Sequence, residues 1–199
     1  RDETIERGAA ERQDLRSHGV GTDVFGRVAR HHRVALRHSR GAPLSASVRR
    51  AATAGGSGAR SFSIWSTDGA QIFDSGDDLE QITAAQTPAL FNANNGLPAE
   101  FDTRSDNKGP EPEGVTTGIV NGVTFGFVGL ERAGGGVMVY DMTDPANPAF
   151  VQYARSDADI SPEGLLFVAA ATSPNGKPLL VVTNEVSGTV AIYQIDTIN

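Results

Sequence analysis

At 199 residues the chain is long enough for one domain, or one domain plus a tail, and the lack of any cysteine excludes disulfides and thiol catalysis. No run of about eighteen apolar residues occurs, so no transmembrane helix is expected, and the first residues are charged where a secretory signal would be apolar. The formal net charge of −7 hides a division: residues 1–58 carry eleven arginines, no lysine and six acids, a balance of +5, whereas residues 59–199 carry six bases and eighteen acids, a balance of −12.

Residues 1–57 read as a basic tract of low order. "ERGAAERQDLRS" favours a short helix, but "RVARHHRVALRHSR" has no stable periodicity and "SASVRRAATAGGSGA" reads as a polar linker. A nucleic-acid arm is a poor reading, because no stacking platform or known binding motif accompanies the arginines. Arginine, alanine, glycine and histidine without lysine also match GC-rich DNA read out of frame. The tract is therefore expected to be either a mistranslated leader joined to a domain near Gly58 or an ordinary basic tail.

The second region, 58–199, begins with "ARSFSIWSTDG", which matches the last third of a longer block found twice further on. "DSGDDLE" follows and is read as an acidic connector, since it lacks calcium-loop spacing. The first full block is "PEGVTTGIVNGVTFGFVGLERAGGGVMVYDM", from Pro112. The second is "PEGLLFVAAATSPNGKPLLVVTNEVSGTVAIYQI", from Pro162. Pro-Glu-Gly opens both, Asn121-Gly122 matches Asn175-Gly176 as a hairpin signal, Glu131 matches Glu185, and Tyr140 matches Tyr193, with Trp65 at the tyrosine position of the partial copy. In the first block, strands are expected at Gly114–Ile119, Thr124–Leu130, Val137–Met142 and Ala149–Arg155. Four short antiparallel strands per block of about fifty residues is the signature of a β-propeller blade. The fold class is thus all-β: a partial β-propeller of about two and a half four-stranded blades. Such an arc leaves apolar sheet faces uncovered, so its partners are expected to be the missing propeller blades, or other copies by self-association through those faces. Trp65 and Tyr140 are assigned to packing between blades.

"GARSFSIW", "IFDSGDDLEQI", "FDTRSDNKGPEPEGV", "FVGLERAGGGVMVYDMTDP" and the second block, in that order, resemble the choice-of-anchor I domain family over Gly58–Ile195. That family is similar to mesenchyme-specific cell-surface glycoproteins, and its bacterial members are often labelled alkaline-phosphatase-like. The resemblance implies a secreted or surface-anchored propeller of about seven blades, in the extracellular space or cell envelope. Residues 1–57 match nothing known of the family, and the "AGGG" turn is one glycine longer than usual.

With no histidine beyond His38 and no cysteine, region 58–199 cannot build a Ser-His-Asp triad or a His/Cys zinc site. Oxygen ligands remain. Pro-Glu-Gly at the start of each innermost strand is expected to aim its glutamate at a central channel, so that Glu113 and Glu163 form part of a carboxylate ring suited to calcium. Asp106 and Glu111 are candidate helpers, and Glu131 with Glu185 a second candidate pair. The alternative is structural: each glutamate accepts backbone N–H groups or pairs with arginine, as Glu131 can with Arg132. Function divides accordingly between a binding or scaffold module, calcium-dependent or not, and a metal-dependent phosphoesterase using the mixed-charge loop of Arg104, Asp106, Lys108 and Glu113.

Overall fold

The computed structural model describes residues 33–40, 60–66 and 69–198, with side chains described from residue 60 to residue 197. Ten strands dominate: β1 (Arg33–Arg40), β2 (Ser63–Trp65), β3 (Gln71–Asp74), β4 (Pro112–Val120), β5 (Val123–Leu130), β6 (Val137–Asp141), β7 (Ala149–Ala154), β8 (Pro162–Val168), β9 (Leu179–Asn184) and β10 (Thr189–Ile198). One helix, α1 (Asp78–Gln86), and two 3₁₀ turns at Pro88–Leu90 and Pro98–Glu100 lie between β3 and β4. The fold is all-β, with antiparallel pairing throughout: a sheet ordered β4-β5-β6-β7, a sheet ordered β1-β10-β9-β8 and the hairpin β2-β3.

The four strands expected in the first block are all present, with ends displaced by a residue or two. Asn121 (φ 51°) and Gly122 (φ 81°) close β4 onto β5 in the two-residue turn that both left-handed residues favour. The second Asn-Gly does not repeat this. Asn175-Gly176 sits inside the loop between Val168 and Leu179, where the Asn175 side chain accepts from the Lys177 N–H at 3.0 Å and turns the chain locally.

Strand alternation sends two sets of side chains to opposite faces of the β4–β7 sheet. Phe125, Phe127, Val137 and Val139 pack against Leu180, Val182, Ala191, Tyr193 and Ile195 of the β8–β10 sheet. Val128, Leu130, Met138, Tyr140 and Tyr153 pack against Phe62 and Leu79, flanked by Ile64, Phe73 and Ile82. The central strands β5 and β6 are therefore buried on both faces, which is why they read as nearly continuous apolar runs, whereas β4 keeps a clean alternation of buried and exposed residues.

Innermost strands β4 and β8 meet where glycine removes a side chain. A Cβ at Gly114 would lie 2.5 Å from Leu165 Cδ1, and one at Gly118 2.4 Å from the Phe167 ring. Phe167 in turn stacks on Phe127 at 6.1 Å between centroids.

Three expectations need correction. Trp65 is 58% exposed; Phe62, three residues earlier, takes the inward position against Tyr140 at 4.8 Å instead. The phase of a strand is set by which alternate residues find a partner, and here Phe62 and Ile64 do. The acidic connector, Asp74–Glu80, runs into the first turn of α1, a helix that was not expected and whose Leu79 and Thr83 are buried. Within the basic tract, Arg33–Arg40 forms a strand rather than irregular or helical chain, because the outer edge of β10 supplies its hydrogen bonds along the whole length from Arg33↔Ile198 to Arg40↔Ala191. The rest of that tract, and the boundary expected near residue 58, lie outside the described residues.

Gly118→Ala is expected to lower stability by about 1–3 kcal/mol through overpacking against Phe167, and adding Phe167→Leu to recover part of that loss. Equilibrium urea unfolding of the two variants checks both.

Candidate functional site

The repeated Pro-Glu-Gly has a structural meaning. Pro112 pairs with Leu130 and Gly114 with Gly129, so Glu113 is an extra residue; Pro162 pairs with Asn184 and Gly164 with Thr183, so Glu163 is extra in the same way. Each triplet is a β-bulge, which breaks the ladder locally and re-aims one side chain. The residue before each proline has a positive φ: 53° at Glu111 and 63° at Ser161. Each of these carbonyls accepts from the residue just beyond the neighbouring strand, from Glu131 N at 2.9 Å and from Glu185 N at 2.8 Å. Both sheets thus build one device from strained residue, proline, bulged glutamate, glycine and a closing hydrogen bond.

The charge around the device is not repeated. Glu111 is 4% exposed and gathers three cations: Lys108 Nζ at 2.5 Å, Arg104 Nη2 at 3.0 Å and Arg132 Nε at 3.3 Å. Burial alone would raise its pKa, but these hydrogen bonds and charges outweigh burial and hold it below the ordinary carboxylate range. Its counterpart in the other sheet is Ser161, fully buried, with no charge to neutralise.

Glu111, Glu113 and Glu131 have carboxylate oxygens within 4.8 Å of one another, the one such acidic grouping among the described residues. Glu131 is buried and bonded to Arg132 Nη2. Burial pushes its pKa up to about 7; Arg132 opposes this, while the charges of Glu111 and Glu113 and a hydrogen bond with Glu113 add to it. Glu131 is therefore poised to hold a proton near neutrality. Of the other candidates, Glu163 is half-buried, whereas Asp106 and Glu185 are exposed, and none of the three joins the grouping.

The loop that presents Glu111 is held from beneath by Asn92, a residue that reading the sequence missed. Asn92 is fully buried at φ 44°; its Nδ2 donates to Glu80 Oε1 and Ser105 Oγ, both at 2.8 Å, and its carbonyl accepts from Arg104 N at 3.0 Å. Glu80 also binds Arg60 at 2.6 Å, which joins α1 and the start of the β2 segment to the same loop. The available signal was "FNANNG", since asparagine tolerates the left-handed conformation better than other side-chain-bearing residues.

A family model for the choice-of-anchor I domain matches residues 12–145. The chain belongs to the choice-of-anchor I domain family. The matched span takes in residues 12–57, which the motif resemblance had left outside. Gigasin-3a of Magallana gigas is 29% identical over 160 residues, covering 69% of this chain and 56% of the relative, so the chain spans about half the length of that protein. Among the described residues, no helix is long and apolar enough to cross a membrane.

Between the ordinary value of 4.5 and about 7, folded Glu131 retains a proton that the unfolded chain releases, so stability falls as pH rises through this window. Glu111 acts in the opposite sense, and only as pH falls below 4.5. Melting temperatures measured from pH 5 to pH 8 are expected to decline in the wild type and to be nearly flat in Glu131→Gln.

Proposed function

We propose that the chain forms an arc of a β-propeller and acts as a binding or scaffold module at the cell surface or in the envelope. The observation that carries this reading is the repetition of one sheet design: four antiparallel strands, the same bulge and the same closing hydrogen bond, stacked face to face with innermost strands β4 and β8 in contact. The addition of β1 as the fourth strand beside β10 completes the second copy of that design. Family membership supports the surface location. The test is the structure of a full-length relative such as Gigasin-3a. A closed ring of like sheets, with the bulged glutamate positions turned toward one axis, is expected; a two-layer sandwich without further sheets overturns the proposal.

A calcium-type site is a second reading, favoured by the Glu111–Glu113–Glu131 grouping. The fit is partial. Both oxygens of Glu111 are engaged by Arg104, Arg132 and Lys108, which leaves Glu113 and Glu131 to supply oxygens to an ion that takes six to eight. In this reading calcium takes the place of the proton held by Glu131. Calorimetric titration with calcium at pH 6.5 should then show heat that depends on the ionisation enthalpy of the buffer and is lost in Glu131→Gln; no heat and no change in melting temperature rejects it.

A phosphoesterase receives little support from the geometry. Arg104 and Lys108, the cations that would receive a phosphate, are both bound to Glu111. No turnover of a chromogenic phosphomonoester is expected, with or without calcium.

A further inference from the structure

Three Asn-Gly pairs occur in the chain: Asn95-Gly96, Asn121-Gly122 and Asn175-Gly176. The pair is chemically fragile, because a glycine nitrogen has no neighbouring Cβ to shield it and can attack the side-chain carbonyl carbon of the asparagine before it. In sequence the three are alike; in the structure they are not.

Asn121 is guarded by its turn. It is the first left-handed residue of a two-residue connection, with φ 51° followed by 81° at Gly122, a type I′ geometry in which its ψ is about +30°. At that ψ its Cβ lies nearly anti to the Gly122 nitrogen across the Cα–C bond, so the groups that would have to join point apart. Its Nδ2 is also tied to Thr197 Oγ1 at 3.0 Å. Asn95 is guarded by Glu100, which accepts from the Asn95 N–H at 2.6 Å, from its Nδ2 at 3.3 Å and from the Leu97 N–H at 3.4 Å. Gly96 is packed as well, since a Cβ there would lie 3.2 Å from both Gly134 Cα and Ile160 Cδ1.

Asn175 has neither guard. It is exposed, its φ is negative, and a Cβ built on Gly176 meets nothing within 4 Å. Its Oδ1 accepts from the Lys177 N–H at 3.0 Å and from Ser173 Oγ at 2.7 Å. The first bond curls the side chain back over the Gly176 peptide. Both donors draw electrons from Cγ and face the oxygen on which negative charge develops during attack.

We propose that Asn175 is a site of spontaneous deamidation. The Gly176 nitrogen leaves its hydrogen bond to the Ser173 carbonyl, 3.2 Å long, gives its proton to hydroxide and bonds to Cγ. The Cγ–Nδ2 bond breaks, the Nδ2 contact with Gln194 Oε1 is lost, and the nitrogen departs as ammonia after taking a proton from water. Water then opens the five-membered imide at either carbonyl, leaving aspartate or isoaspartate. The product adds one negative charge to the loop between β8 and β9, and the isoaspartate form adds one methylene to the backbone of that loop.

The test is to incubate the full chain at pH 8 and follow the three pairs by peptide mass spectrometry, with chromatography separating aspartate from isoaspartate. In the folded chain Asn175 should convert roughly tenfold or more faster than Asn95 and Asn121, a barrier difference of about 1.4 kcal/mol. In concentrated urea the three rates should converge. Ser173→Ala should slow Asn175 by roughly threefold to tenfold, less than such a donor is worth in a site closed to water, and leave the other two pairs unchanged. No conversion at Asn175, faster or equal conversion at Asn95 or Asn121 in the folded chain, the same spread in urea, or no slowing in Ser173→Ala overturns the proposal.

Discussion

The architecture depends on how closely strands β4 and β8 can approach. Two glycines on one face of β4 leave space into which Leu165 and Phe167 of β8 project. Only with that approach do Phe125 and Phe127 meet Leu180 and Val182 to form the core between the sheets. The same strand shows why glycine, normally weakening in a strand, is useful where another backbone comes near. On its other side β4 has no such neighbour, and Val115 and Ile119 remain exposed at 45% and 67%. Burial on this strand is decided by what lies opposite, not by the hydrophobicity of its own residues.

The bulge and the charge cluster answer different needs. The bulge is a backbone solution, present in both sheets and closed by equivalent hydrogen bonds. The charge cluster belongs to one sheet and depends on Glu111, a buried carboxylate held between three cations. A buried carboxylate without such partners would be strongly destabilising. Once Glu111 has drawn in Arg104, Lys108 and Arg132, the nearby Glu131 is left with Arg132 as a shared partner and a raised proton affinity. The acidity near the bulge is thus uneven, with one carboxylate firmly ionised and another close to half-protonated at neutral pH.

Much of the fold was legible in the residues from 112 to 155, where Pro, Asn-Gly and a triple glycine punctuate β-branched and aromatic runs. Each strand there was located to within a residue or two. What escaped notice depends on distant partners. β1 lacks an alternating pattern and owes its pairing to β10, far away in sequence. Trp65 faces out because Phe62 and Ile64 share the phase that meets Tyr140 and its neighbours. The aligned glutamates were visible as a repeat, but their distinct electrostatics were not, since these depend on the residue before each proline: glutamate at 111, serine at 161. Asn92 was hidden among other asparagines because its role is to satisfy groups from two separate segments, α1 and the loop of Arg104 and Ser105.

The join between β1 and β10 has a mechanical implication. The strands are antiparallel, with Arg33 opposite Ile198 and Arg40 opposite Ala191. Tension applied through the chain that leads into Arg33 and the chain that leaves Ile198 would therefore act at one end of the ladder. The rungs would be strained in turn, like the teeth of a zip, rather than sharing the load in shear. For a module held at a surface, this seam would peel first under traction, while the sheet whose central strands are packed on both faces stayed whole.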